Sequence, residues 1–369
     1  MKAALFDAPG RPLTIETIPD PAPGPEDLIL QVNACGICGS DLHLADADGS
    51  RGMPPLPHGA VMGHEFAGTV VAAGAAVRDA WPDGTRVTAL PAIGCGRCLQ
   101  CLSGASGRCA AAQLLGLGVH PGAYAQFVRV AALETMRLPE EVDDRTGATV
   151  EPLAVGLHAV HVARIARGED VLVLGAGPIG LAVAAWSAFF GARHVIVSDP
   201  VASRLERASR MGATATIDAG SEDVAQRSRA IAGGAPRIVV DCVGLPGTQQ
   251  LAMNYAPVEG RVIVAGVCME YDRVLPVRAI VKELQVNYVF AYRRPDFAFT
   301  IDMLAAGRIS SAPMQSGSVG FEDFPPAFEA LKTSKSECKV FLEPQGSAGG
   351  AAAKSSFGLW SGNPRFQRP

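Results

Sequence analysis

The segment DVLVLGAGPIGLAVAAWSAF, residues 170–189, constrains the fold more than any other stretch of the chain. Asp170–Leu174 reads as a buried strand. A G-x-G-x-x-G turn follows, with Gly175, Gly177 and Gly180, and the apolar run that begins at Pro178 has the length of a helix and proline in its first turn. A strand that is apolar throughout must be covered on both faces, so such a unit has to repeat. It does. "HVIVSD", "ATID", "RIVVDCVG" and "RVIVAGV" read as further buried strands, and "VASRLERASRMG", "SEDVAQRSRAIAG" and "GTQQLAMNYA" as the helices between them. The pattern predicts an α/β domain with a doubly wound parallel sheet.

In that context the glycines let the main chain approach a pyrophosphate. The helix start formed by Gly177, Pro178, Ile179 and Gly180 supplies free N–H groups and a partial positive charge. The next strand ends at Asp199, 22 residues beyond Gly177, where a carboxylate accepts hydrogen bonds from ribose hydroxyls and repels a 2′-phosphate. The expected cofactor is therefore NAD rather than NADP. Arg204 is grouped with these residues because an arginine near the pocket attracts phosphate, although its expected place is the outer side of the next helix.

The first 150 or so residues have a different character. Short β-branched runs, "DLILQVNAC", "FAGTVVAAG", "TRVTAL" and "AQFVRV", are separated by turn sequences such as "PGPED" and "WPDGT". This is the pattern of a mostly antiparallel β domain with irregular loops. After residue 290 the chain offers one more helix, "PDFAFTIDMLAAG", and a strand-like "CKVFLEP" that is expected to rejoin the first domain. The division expected is 1–152, 153–290, a return over 291–344, and a flexible tail over 345–369 rich in Gly and Ser.

Four of the nine cysteines, Cys95, Cys98, Cys101 and Cys109, fall within fifteen residues. Neither a secretory leader nor an apolar run of about 18 residues is evident, so the expected compartment is a reducing cytoplasm with no membrane partner. Clustered thiols there are metal ligands more often than disulfides. The C-x2-C-x2-C-x7-C spacing matches a closed tetrahedral Zn²⁺ site, and a site closed by four thiolates is structural. An iron–sulfur cluster or incidental cysteines are the other readings. The net charge of −4 shows no basic stripe for nucleic acid.

A second constellation is dispersed. "CGICGSDLH" holds Cys35, Cys38, Ser40, Asp41 and His43, "GHE" holds His64 and Glu65, and "EPLAVGLHA" begins with Glu151. Thiolate, imidazole and carboxylate together suit a catalytic zinc with an open position. The residues alone leave Cys35 and Cys38 equally eligible.

The order and wording of these motifs resemble the zinc-dependent medium-chain dehydrogenase/reductase family, in particular its polyol and secondary-alcohol branch. The resemblance covers roughly residues 1–344. It implies a GroES-like catalytic domain, a Rossmann-type cofactor domain and an active site in the cleft between them. By position it implies Cys38, His64 and Glu65 as zinc ligands, with Glu151 ligating directly or through water and Cys35 not ligating. With the four-cysteine lobe this makes two zinc ions per chain.

Hydride leaves an alcohol carbon readily only when its hydroxyl is deprotonated, and a divalent metal ion supplies that acidity. Ser40 is placed to touch the reacting oxygen, and His43 to pass the proton outward, as the resemblance suggests; imidazole suits the task because it titrates near ~6.5. Asp41 is expected to support the metal site rather than transfer protons. Cys38 and Glu65 together neutralise Zn²⁺, so Glu151 is expected to alternate between metal and water. The function expected is NAD-linked oxidation of a small-molecule secondary alcohol or polyol to a ketone. The alternatives are a threonine- or aldehyde-adduct-type dehydrogenase of the same family, or a non-catalytic dinucleotide-binding sensor. The apolar strand "LQVNYVF" suggests a homodimer or homotetramer paired edge to edge.

Overall fold

The computed structural model describes residues 1–49, 55–118, 120–334 and 336–345. The expectation of a flexible tail over 345–369 falls, beyond Gln345, outside the described residues.

Six parallel strands form one sheet: Asp170–Leu174, His194–Asp199, Ala215–Asp218, Ile238–Asp241, Arg261–Val264 and Gln285–Tyr288. Numbered in chain order, their spatial order is 3-2-1-4-5-6, so the sheet reverses direction beside the first strand. That switch point lies at the carboxyl end of Asp170–Leu174, where the glycine turn begins. The turn needs its last glycine: a Cβ on Gly180 would sit 1.8 Å from the Gly175 carbonyl oxygen.

The second sheet has seven strands, built around the long strand Asp27–Gly36. Glu65–Ala73 and Phe127–Ala131 pair with it antiparallel, and Lys339–Leu342 returns from the end of the described chain to pair with its last two residues. The register sets Gly36 opposite Glu65 on one side and opposite Phe341 on the other. Three chain segments far apart in sequence therefore meet at one strand end.

The helix Val150–Ala163 joins the two sheets. Its apolar side chains share one core with Ala34, Ala67 and Leu138 on one side and Val171, Val173 and Val240 on the other. It packs on the helix Pro178–Phe189, whose buried Trp186 donates Nε1–H to the Leu153 carbonyl at 2.9 Å. Burying an aromatic of this size against both helices holds them together; truncation in a core costs about 3–5 kcal/mol.

After residue 290 the structure has two helices, Arg294–Ala305 and Phe324–Thr333, where the sequence pattern led to one. The second, which the sequence pattern did not announce, carries Pro325 and Pro326 in its first turn, where no N–H bond is lost. The short helix Gly39–Asp46 was also unanticipated, having little apolar periodicity to announce it. Among the described residues no helix is long and apolar enough to cross a membrane.

Candidate active site

Cys38, His64 and Glu65 come together, with one ligand atom from each lying within 4.8 Å of the others. Cys38 ends the turn that follows the long strand, and His64 and Glu65 open the neighbouring strand. Cys35 is fully buried within the long strand, next to Gly36, and is not part of the group.

Asp41 is buried beneath the cluster. Its Oδ2 accepts from the Cys38 N–H at 3.2 Å and from the Tyr124 hydroxyl at 2.5 Å, and its Oδ1 lies 3.2 Å from His64 Nδ1. Asp41 thus fixes both the cysteine turn and the orientation of the imidazole, a supporting contact usual for metal-ligating histidines. Burial works against the charged imidazole, but the Asp41 carboxylate and the Cys38 thiolate outweigh it and hold the His64 pKa well above the ordinary value.

Behind Glu65 stands Lys339, equally buried, with Nζ 2.7 Å from Glu65 Oε1 and 2.6 Å from Oε2, and donating to the Ile37 carbonyl at 3.0 Å. The ammonium stays charged because Glu65 and Cys38 overcome the penalty of burial. The pair is possible only because residue 36 is glycine: a Cβ there would lie 2.4 Å from Glu65 Oε2. Sequence reasoning missed Lys339. The available signal was a lysine standing at the head of the apolar run "KVFL".

These charges test whether a metal ion fits. The half-buried Cys38 sulfur, as thiolate, and the buried carboxylates of Glu65 and Asp41 bring more negative charges together than the buried Lys339 and His64 offset. A divalent cation neutralises them, and sulfur, nitrogen and oxygen donors within one coordination radius suit Zn²⁺.

Glu151 lies beside this group but outside the three that share the 4.8 Å spacing. Burial pushes its pKa up to about 7, opposed by His64 and by a hydrogen bond from the Tyr292 hydroxyl. Tyr292 is another functional neighbour that sequence reasoning missed, with no local motif to mark it. Ser40 Oγ is 3.2 Å from Cys38 Sγ. His43 is exposed and lines a cleft of about 360 Å³ whose other wall is Gly244–Pro246 and Val267–Met269 of the parallel-sheet region.

An adjoining cleft of about 120 Å³ is lined by Ala176, Gly177 and Pro178 of the glycine turn, by Arg204, and by Ile37, Leu42 and Cys338 from the other side. Arg204 therefore faces the cleft, not the outer side of its helix. The reason is Asp199, whose Oδ2 lies 3.8 Å from Arg204 Nη1 and draws the guanidinium inward. The Asp199 carboxylate also accepts from the N–H groups of Ala176 and Val201, each at 2.9 Å, and so braces the glycine turn. Ile179 follows within the first helical turn, partly buried.

The four lobe cysteines all have their sulfurs within 4.8 Å of one another, with Cys98–Cys101 at 3.6 Å and Cys95–Cys101 at 4.0 Å. Tetrahedral Zn–S bonds of ~2.3 Å place sulfurs about 3.8 Å apart. The N–H groups of Arg97 and Cys98 point at the Cys95 sulfur and lower its pKa to about 6.

The chain matches the family model of the alcohol dehydrogenase GroES-like domain over residues 24–140 and that of the zinc-binding dehydrogenase over residues 178–306. It is 30% identical to the sorbitol dehydrogenase of Bacillus subtilis (strain 168) over 347 residues, 93% of this chain and 97% of that protein. The chain belongs to the zinc-dependent medium-chain dehydrogenase/reductase family. Within that family it has the polyol and secondary-alcohol type of sequence, and it is an alcohol dehydrogenase acting on CH–OH donors. Solved medium-chain dehydrogenases superpose closely. The 2R,3R-butanediol dehydrogenase of Bacillus subtilis gives a TM-score of 0.82 at 28% identity, covering 93% of this chain and 99% of that one. A Sinorhizobium meliloti 1021 protein, described as a zinc-binding dehydrogenase and bound to NADP, gives 0.83 at 33% identity with the same coverage.

Proposed function

We propose that this medium-chain dehydrogenase oxidises a secondary alcohol or polyol to its ketone at the Cys38–His64–Glu65 cluster. The supporting observation is the convergence of those three ligands beside Ser40 and a cleft shared with the glycine turn. Cys38, His64 and Glu65 would hold a catalytic zinc, with Glu151 approaching from the adjoining side, and Cys95, Cys98, Cys101 and Cys109 a structural one. When bound, the catalytic zinc supplies Lewis acidity that makes a substrate hydroxyl easier to deprotonate, and the dinucleotide accepts the hydride.

The chain's own groups do the rest. Asp41 Oδ1, 3.2 Å from His64 Nδ1, sets a carboxylate beside the imidazole that would support it as a metal ligand. Lys339 pairs with the Glu65 carboxylate and orients it. Ser40, next to Cys38, is within reach of an entering hydroxyl and accepts its proton while releasing its own; His43, exposed on the cleft wall, passes a proton to water. Tyr292 packs in the core that the helix Val150–Ala163 shares, with its hydroxyl acting on Glu151.

For the cofactor we favour NAD. Asp199 places a carboxylate at the strand end where a 2′-phosphate would sit, and it partly neutralises Arg204. The NADP in the Sinorhizobium relative makes this a sharp test. kcat/KM with NAD should exceed that with NADP by at least ~10-fold; parity would remove the selective role from Asp199. A panel of diols, polyols, simple secondary alcohols and amino alcohols, followed by nicotinamide absorbance, tests the reaction. Turnover of none of them would overturn it, and preference for threonine-like substrates would move the chain to that branch.

We further propose a homodimer or homotetramer in the cytoplasm. Gln285–Tyr288 is the sheet edge, and nearby Tyr271, Ile280 and Tyr288 are 95%, 70% and 68% exposed. Apolar surface of that kind beside an open edge is usually covered by a partner. Light scattering that gives a monomer mass would exclude this.

A further inference from the structure

The cysteine lobe and the active site meet on the turn at residues 290–293. Ala291 in this turn has φ +53°, a left-handed conformation that a residue with a Cβ holds only when its neighbours impose it. Clamps are visible on both sides. On one, Arg108, next to Cys109, donates from Nη2 to the Phe290 carbonyl at 2.9 Å. On the other, the Arg293 N–H donates to Asp296 Oδ2 at 2.9 Å. Between the clamps, Tyr292 is buried in one core with Val150, Leu153 and Ala154 of the helix that carries Glu151, and its hydroxyl acts on that carboxyl.

Arg108 has a second contact that ties both clamps together. The same Nη2 lies 3.1 Å from His158 Nε2, and His158 Nδ1 lies 3.3 Å from Asp296 Oδ2. A guanidinium only donates, so His158 Nε2 must accept, and its single proton sits on Nδ1 facing Asp296. His161 reaches the other oxygen, Asp296 Oδ1, at 2.9 Å. His158 lies two turns beyond Glu151 on the helix Val150–Ala163, so both partners of the Tyr292–Glu151 contact are referred to the same arginine. A main-chain bond from Arg294 N–H to the Gly104 carbonyl, at 2.7 Å, docks the lobe on the same segment.

We propose that Arg108 is a positioning residue for alcohol oxidation, clamping the strained turn at Ala291 so that Tyr292 meets Glu151 at the catalytic cluster. The cysteine lobe then has a role beyond its own stability: it is the anchor from which one wall of the active site is set. The inference rests on the reaction proposed above.

The test is a double-mutant cycle of Arg108→Met and Tyr292→Phe. Each single change is expected to lower kcat about 10-fold with the KM for the dinucleotide unchanged, and the double variant to be no worse than Tyr292→Phe alone. Cobalt(II) at the catalytic position gives a readout without turnover. Its visible bands should shift in Arg108→Met as they do in Tyr292→Phe, with two metal ions per chain retained. Adding Ala291→Gly to Arg108→Met should restore much of the lost kcat, because glycine accepts the left-handed turn without the clamp. Should Arg108→Met fail to keep the lobe metal, Arg108→Lys, which cannot span both acceptors, carries the same coupling at about 3-fold. Multiplicative losses in the double variant, or cobalt bands that match wild type in the arginine variants, would overturn the proposal. A wild-type protein that turns over no alcohol would defeat the functional reading instead, and the cobalt cycle would still report on the coupling.

Discussion

The two candidate metal clusters of this protein are built in opposite ways. The lobe draws four like ligands from fifteen consecutive residues, with Cys95 exposed and with main-chain N–H groups tuning its sulfurs. The candidate catalytic cluster draws unlike ligands from distant segments, with Lys339 paired to Glu65 and Asp41, itself held by Tyr124, set against His64. The lesson concerns where the stabilisation comes from. A local thiolate cluster with solvent beside it depends on the ion. A buried mixed cluster depends equally on its surroundings, because each charge removed from water must find a partner.

The contrast is broken most forcefully at Cys38. Cys38→Ser should lower kcat/KM by about 10³-fold or more and reduce metal content from two ions to one, with the lobe intact; metal analysis beside kinetics checks this. Retention of both ions with normal turnover would show that the cluster is not the catalytic centre. Next in size is Lys339→Met, which leaves Glu65 buried without its cation. The expected loss is about 3–5 kcal/mol in denaturant unfolding, even though Lys339 is no metal ligand. A loss below ~1 kcal/mol would mean that the ion, not the lysine, balances the site.

Cys101→Ser sharpens the other half. It should empty the lobe and lower Tm by roughly 5–10 °C. If Arg108 anchors the turn at Ala291, kcat should also fall, while the dinucleotide KM stays put.

The smallest effect is at Glu151. Its pKa is raised by burial to about 7 in the metal-free fold, against an ordinary ~4.3. A raised carboxyl pKa means that the folded state keeps its proton longer than the unfolded chain. The stability associated with that proton is complete below ~4.3 and is lost as pH rises through about 7. Metal-free wild type should therefore lose on the order of 3 kcal/mol relative to Glu151→Gln between pH 4.3 and 7. Parallel stability curves for the two proteins would show that Glu151 is not the buried titrating group.

Much of the fold was legible because its determinants are short-range. Five of the six parallel strands follow from apolar runs and their spacing, the sixth having been read only as an edge between copies, and the glycine turn from a strand–turn–helix context. Return of "CKVFLEP" to the first sheet was foreseen from its β pattern. The helices Gly39–Asp46 and Phe324–Thr333 were not, since weak periodicity and paired prolines hide them. In the site, Cys38, His64 and Glu65 came from motif resemblance, and Asp41 was assigned its supporting place. Arg204 was expected to face outward, because helical position alone does not reveal the pull of Asp199.

By itself, then, the sequence determined the doubly wound sheet, the glycine turn and the four-thiol lobe, all of which depend on residues near one another along the chain. Only the tertiary structure decided that Lys339 would balance Glu65, that Tyr292 would face Glu151, and that Arg108 would join the lobe to that pair. Those contacts span tens to hundreds of residues, and no local preference encodes them. They exist because a buried charge or hydroxyl has to be satisfied by whichever group the fold brings within reach.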